Sequence, residues 1–194
     1  MKRLLIFASG SGSNAENIIE FFQKSNTIKV VHVLTNNKNA KVIERAKRLK
    51  INNLIFNKSD FFKTDKIVDF LKEETDYIIL AGFLWKVPQK IIDAFPNKII
   101  NIHPALLPKY GGKGMYGMHI HHAIVKNNEK ETGITIHYVN ENYDEGAIIY
   151  QKNVKLGIKD TASDVAAKIH ELEMANFPQV IEQVILNKKI TTIE

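Results

Sequence analysis

The sequence predicts an α/β fold: a mostly parallel sheet with helices on both faces and an antiparallel strand pair at one end. Three observations predict it. Up to about residue 103, short apolar runs alternate with stretches of helical periodicity, and continuous apolar runs are the mark of strands buried on both faces. Beyond that point two segments alternate apolar and polar residues, as paired antiparallel strands do. The 194 residues suit one domain with a substantial core, and no repeat, linker or low-complexity segment interrupts them.

The elements follow in order. "KRLLIFA" (2–8) reads as a buried strand, and residues 14–24 set Ile18, Ile19 and Phe22 on one helical face with Ala15 a turn earlier. "IKVVHVLT" (28–35) is the second strand. Val42, Ile43, Ala46 and Leu49 mark a second helix, "NLIF" (53–56) a short strand, and Ile67, Val68 and Leu71 a third helix. "DYIILA" (76–81) is another buried strand, Pro88 fits the first turn of a short helix through Phe95, and "NKIINIH" (97–103) is the next strand. Residues 104–118, with Pro104, Pro108 and four glycines, read as loop, followed by a helix over about 119–127. "TGITIHYV" (132–139) and "GAIIYQKNV" (146–154) form the antiparallel pair, with "NENYDE" between them too long for a tight hairpin. Thr161 caps a long last helix with Val165, Ile169 and Leu172 inward, and Pro178 is expected to kink or divide it.

Composition narrows the function classes. Hydrophobic residues make up 44% and charged residues 25%, ordinary values for a soluble globular protein. With no cysteine, disulfide and thiolate chemistry are excluded, and a cytoplasmic location is expected. The apolar run after the basic start is too short for a secretion signal, and none approaches a membrane span. The net charge of +6 and pI near 9.3 favour anionic ligands. The lysines are spread rather than interleaved with aromatics, so neither nucleic acid nor membrane is an expected partner.

"FASGSGSNAENI" (7–18) follows the first strand and opens the first helix. Gly10, Gly12 and Ala15 satisfy G-x-G-x-x-A, but the acidic residue that a dinucleotide fingerprint needs about 20 positions on is missing from "VLTNNKNAK". NAD is therefore disfavoured, and a P-loop is excluded because no G-K-[ST] follows. A simpler phosphate cradle remains, in which backbone N–H groups, the helix N-terminus and Ser11, Ser13 and Asn14 meet an anion. The bland alternative is a tight turn with Ser13 or Asn14 as helix cap. The carboxyl end of a first parallel strand is where open α/β sheets bind ligands, which favours the phosphate.

"IINIHPALLPKYGG" carries Asn101 and His103 two apart at the end of an apolar strand, so their side chains share one face. Pro104 keeps the chain extended after His103. Asp144, in the loop "VNENYDEGAII", supplies a carboxylate that can reach the same crevice. An amide and an imidazolium can bond a developing oxyanion, and a carboxylate orients the imidazole. Without cysteine or G-x-S-x-G a covalent nucleophile is not expected, so direct transfer between two bound substrates is the alternative. The histidines of "HIHH" (119–122) are expected to pack or face solvent rather than bind metal.

Through "SGSGSN" (9–14), "LAGFLWKV" (80–87), "NIHPALLPKY" (101–110), "GMHIHHAI" (117–124), "TGITIHYVNENYDEGAII" (132–149) and "ELEMANFP" (171–178), the chain resembles over essentially its full length the phosphoribosylglycinamide formyltransferases, the glycinamide ribonucleotide transformylases of purine biosynthesis. The resemblance implies a Rossmann-like single domain spanning residues 1–194, its N-terminal half binding phosphate and ribonucleotide and its C-terminal half binding folate and carrying the catalysis. It implies formyl transfer from 10-formyltetrahydrofolate to the glycine amine of glycinamide ribonucleotide, with small-molecule substrates, no metal, no NAD, and a monomer or homodimer. It implies Asn101, His103 and Asp144 as the catalytic set, and Gly12, Ser13, Asn14 and Glu173 as ribonucleotide contacts. Folate contacts would be Lys58, Leu84, Trp85, Lys86, Val87, Asn101 and the loop Asn140, Glu141, Asn142, Tyr143 and Asp144. Two departures stand out: "GGKGMYG" (111–117) is longer than in many members, and Trp85 replaces a smaller or basic residue. The rivals are a formyltetrahydrofolate hydrolase, expected to carry an added N-terminal domain, and a methionyl-tRNA formyltransferase, expected to carry a C-terminal tRNA-binding one. A noncatalytic nucleotide-binding module is a third rival and would leave Asn101, His103 and Asp144 unexplained.

Overall fold

A computed structural model describes residues 1–190. The chain divides into two compact units, Met1–Asn101 and Ile102–Glu194. The first runs β1 (Lys2–Phe7), α1 (Ser13–Phe22), β2 (Ile28–Thr35), α2 (Val42–Arg48), β3 (Asn52–Ile55), a π-helical turn (Ser59–Lys63), α3 (Lys66–Glu74), β4 (Tyr77–Leu80), α4 (Gln89–Ala94) and β5 (Ile99–His103), whose last two residues open the second unit. The second continues with α5 (Met118–Lys126), β6 (Glu131–Tyr138), β7 (Ile148–Lys155) and α6 (Ala162–Ile185). The sheet has seven strands in the order β3-β2-β1-β4-β5-β6-β7, mostly parallel with an antiparallel pair at one end, as the sequence predicts.

In the first unit every strand pairing is parallel, β1 with β2 and β4, β2 with β3, and β4 with β5. The order walks outward from β1 to β3, then jumps back to β4 on the other side of β1. Right-handed crossovers send the helices of the two halves to opposite faces, and α1 packs on α2 while α3 packs on α4. Leu4, Leu5 and Ile6 of β1 are wholly buried, which explains the unbroken apolar run. Each such side chain contributes about 1.5–3 kcal/mol. The jump makes a topological switch between β1 and β4, the place where such sheets leave a crevice beyond the strand ends.

In the second unit β6 and β7 pair antiparallel from Glu131 opposite Lys155 to His137 opposite Ile148. Helix α6 packs on α5, β6 and β7, and the Tyr150 hydroxyl donates to Asn176 Oδ1 at 2.8 Å, tying β7 to α6. The wholly buried Thr135 of β6 holds the segment after His103. Its hydroxyl donates to the Ala105 carbonyl at 2.7 Å and accepts from the Leu107 amide at 3.0 Å and from Gln151 Nε2 at 2.8 Å.

One expectation is corrected and one disfavoured alternative drops out. Pro178 does not divide α6, which runs unbroken for 24 residues. One missing N–H is tolerated where the ring is buried with Phe177, Val180 and Ile181. Neither Ser13 nor Asn14 caps α1: the capping position is Gly12, at φ 76°, without a side-chain cap. Thr161 does cap α6, in a capping box closed by Asp164.

Candidate active site

The glycine turn after β1 is fixed by its carbonyls. Those of Ser9, Gly10 and Ser11 accept from Asn37 Nδ2 at 3.3 Å, the Val42 amide at 3.2 Å and Arg45 Nε at 2.9 Å. Arg45 and Arg48 both pair with Glu16 of α1, so α2 clamps the turn from one side. Gly12 is required twice over: its φ is positive, and a β-carbon there would overlap the Val42 side chain. With the carbonyls tied back, the helix start presents amide hydrogens and its positive dipole end, the chemistry an anion selects. Ser13 and Asn14 are half-buried beside it.

The loop after β4 lies against this turn across the switch. The Ser9 amide donates to the Gly82 carbonyl at 3.1 Å, and the Leu84 amide donates to Ser9 Oγ at 3.0 Å. Beyond it, Leu84 is exposed, Trp85 half-buried and Val87 buried. Trp85 closes an aromatic cluster with Phe56, Phe61, Phe62 and Phe83 at ring separations of 5.7–6.3 Å, and Lys58 Nζ lies 5.9 Å from its ring. Two of the folate-contact candidates, Lys58 and Trp85, are therefore neighbours, and the exceptional tryptophan is accommodated by a phenylalanine-rich surround. Asn101 is half-buried on β5, in register with Leu80.

His103 ends β5 and is 4% exposed. Its Nε2 lies 2.8 Å from the Tyr110 carbonyl oxygen, which fixes a hydrogen on Nε2, and its Nδ1 lies 3.6 Å from Asp144 Oδ1. That second distance is beyond a hydrogen bond and within electrostatic reach. His137 of β6 brings Nε2 to 3.7 Å from the same carboxylate oxygen, while its Nδ1 bonds the Tyr138 carbonyl at 2.8 Å. Burial pushes the His137 imidazole below its ordinary value, against the opposing pull of the Tyr138 carbonyl and Asp144. Asp144 Oδ2 accepts the Gly112 amide at 2.9 Å, and a β-carbon on Gly111 would meet Leu107 at 2.6 Å and Asp144 at 3.4 Å. The long glycine segment thus begins by packing directly on the carboxylate.

Of the remaining candidates, Glu141, Asn142 and Tyr143 are exposed and Asn140 half-buried, Asn140 Oδ1 accepting the Asn142 amide at 3.0 Å. Glu173 is not the solvent-facing helix residue that a bland reading gives. Its carboxylate is 14% exposed, stands 3.8 Å from His170 Nδ1, and acts on the buried His121, whose imidazole burial holds below its ordinary value. Within "HIHH", His121 is buried while His119 and His122 are exposed. Sequence reasoning missed His137, Tyr110 and Gly112. His137 lies in a stretch of β6 buried at every residue from 132 to 137, so alternation does not single it out, and Tyr110 and Gly112 meet His103 and Asp144 through a carbonyl and an amide, contacts that no short motif encodes.

Comparison with known proteins extends this geometry. Residues 2–181 match the formyl transferase family. The chain is 37% identical over 187 residues to the chloroplastic phosphoribosylglycinamide formyltransferase of Arabidopsis thaliana; the match covers 93% of this chain and 64% of that protein, so this chain spans less than two thirds of the plant relative's length. It is 35% identical over 191 residues to the phosphoribosylglycinamide formyltransferase of Bacillus subtilis, covering 95% of both. The crystal structure of phosphoribosylglycinamide formyltransferase from Bacillus halodurans is similar with a TM-score of 0.84 at 35% identity, over 95% of each chain.

Proposed function

The chain belongs to the formyl transferase family, and from that premise we propose that it transfers a formyl group from 10-formyltetrahydrofolate to the glycine amine of glycinamide ribonucleotide. The observation that carries the reading is the His103–Asp144 pair at 3.6 Å, two residues along β5 from Asn101, in a chain without cysteine. The names of the full-length bacterial relatives support the same choice.

In this reading Gly12, Ser13 and Asn14 hold the ribonucleotide's phosphate and Glu173 its ribose. Leu84 to Val87, Lys58 and residues 140–144 receive the folate. The neutral amine attacks the formyl carbon, forming a C–N bond and a tetrahedral oxyanion. With Nε2 committed to Tyr110, His103 turns Nδ1–H to that oxygen while Asp144 balances its charge, and the Asn101 amide is the second donor. The C–N10 bond then breaks, and a proton from the former amine passes to N10. Holding both substrates at once supplies much of the acceleration. One catalytic module, working as monomer or homodimer in the cytoplasm, completes the reading; no helix among the described residues is long and apolar enough to cross a membrane.

The test follows consumption of 10-formyltetrahydrofolate by absorbance, with and without glycinamide ribonucleotide. Consumption that depends on the ribonucleotide is expected. Equal consumption without it would make the protein a hydrolase, and none in either case would leave a binding module.

A further inference from the structure

Tyr110 is joined to its surroundings at both ends. Its carbonyl is the acceptor for His103 Nε2 at 2.8 Å. Its hydroxyl donates to Glu129 Oε1 at 2.9 Å and accepts from Asn127 Nδ2 at 2.9 Å. Lys109 Nζ reaches the same Glu129 oxygen at 3.1 Å. Asn127 and Glu129 lie in the turn after α5, far from Asp144 along the chain. The Tyr110 backbone is at φ 58°, a region that a residue with a β-carbon enters only when its surroundings hold it there. Two residues on, the Gly112 amide grips Asp144 Oδ2 at 2.9 Å. The segment 110–112 therefore touches both members of the acid–imidazole pair with main-chain atoms, and a single side chain ties it to a separate element.

The ionisation states suit such an anchor. Burial raises the Tyr110 phenol above its ordinary value, so it keeps its hydrogen and donates. Bonds from Lys109 and Tyr110 lower the Glu129 carboxyl, so it stays charged and accepts.

We propose that the Tyr110 hydroxyl, clamped by Glu129 and Asn127, is a positioning device for formyl transfer: it holds the Tyr110 carbonyl on His103 Nε2 and so directs Nδ1 toward Asp144 and the substrate. Tyr110 touches no reacting atom; it acts through the histidine. The inference rests on the assignment of His103 as the oxyanion donor.

Three measurements test it. Tyr110→Phe removes one hydroxyl at a half-buried site and is expected to lower kcat about three- to tenfold, the worth of an ordinary hydrogen bond, with KM for both substrates within about twofold. Glu129→Ala is expected to do the same, and Glu129→Gln, which keeps an acceptor oxygen, to recover part of the loss. Because the effect passes through the ring, Tyr110→Phe is expected to add nothing to His103→Ala, as coupled residues do not add. In protein labelled with nitrogen-15 at histidine, Tyr110→Phe is expected to move the His103 ring resonances and leave those of His32 unmoved. The proposal is overturned if the Tyr110→Phe loss multiplies unchanged onto His103→Ala, if it falls on KM alone, or if the His103 resonances stay in place. If His103→Ala itself turns over at the native rate, it is the functional reading that fails. The nitrogen spectrum still decides on its own whether the hydroxyl positions the ring.

Discussion

The turn after β1 is held by its backbone, with three consecutive carbonyls tied to Asn37, Val42 and Arg45 and a glycine whose absent side chain makes the room. The cluster around Asp144 is held by groups drawn from residues 103, 112 and 137, all converging on one carboxylate. The first arrangement is built from main-chain atoms and needs a particular shape; the second is built largely from side chains and needs particular residue types, and under the proposed function the first would bind and the second react. The two regions should therefore fail differently when altered, and that difference can be attacked from both sides.

The largest effect is expected at the turn. Gly12→Ala meets a left-handed penalty of about 1–2 kcal/mol and an overpacking cost of about 1–3 kcal/mol against Val42. A loss of about 3 kcal/mol, read as a melting shift near 10 °C, is expected, and the Gly12→Ala/Val42→Ala double variant should lose less than the sum of the singles. Strict additivity would mean that Val42 Cγ2 adds nothing to the overlap with Val42 Cβ and Cα, which alanine at 42 retains. His103→Ala and Asn101→Ala are each expected to cost about a hundredfold in kcat, or about 2.7 kcal/mol of barrier, with melting within about 5 °C of the parent. If these variants unfold the protein while Gly12→Ala only slows it, the contrast drawn here is reversed.

A smaller effect concerns pH. Burial lowers both His121 and His137 below the ordinary 6.5. Between the lowered value and 6.5 the unfolded chain binds protons that the folded chain refuses, so stability rises with pH through that window. It is complete above about pH 7 and drains away as pH falls. Thermal melts from pH 7 to 5 should show this slope, and His121→Asn should flatten it; an unaltered slope would remove His121 from the account. The smallest is a control outside both regions. Thr161→Ala opens the α6 capping box, should cost about 1 kcal/mol, and should leave kcat where it was.

Much of the fold was legible because parallel strands announce themselves. The runs at residues 28–35 and 97–103 fall on β2 and β5, the first at its stated limits and the second ending on His103 as expected. Glycine likewise betrayed the turn, since only a backbone demand explains it. What escaped was cooperative. The proline in α6 reads locally as a kink or a break, and the burial of its ring explains why the helix is not divided there. The capping serine and asparagine of α1 have the right chemistry, but Gly12 occupies the position where the chain turns. The pairing of His103 with Asp144 was readable as a chemical need, whereas His137 facing the same oxygen depends on the register of β6, which no short motif encodes.

The hydroxyl of Thr135 has one hydrogen to give and two lone pairs to share, and the structure uses all three. A position saturated in this way has almost no alphabet left. Serine can follow at the loss of a methyl group, but valine, identical in shape, would take the Thr135 partner from the buried Ala105 carbonyl and Leu107 amide together, while the exposed Gln151 would keep its bond to the Leu107 carbonyl. The strictness of this buried threonine is thus inherited by the stretch leading from His103 to Leu107, whose path is drawn from beneath by a residue that itself performs no chemistry.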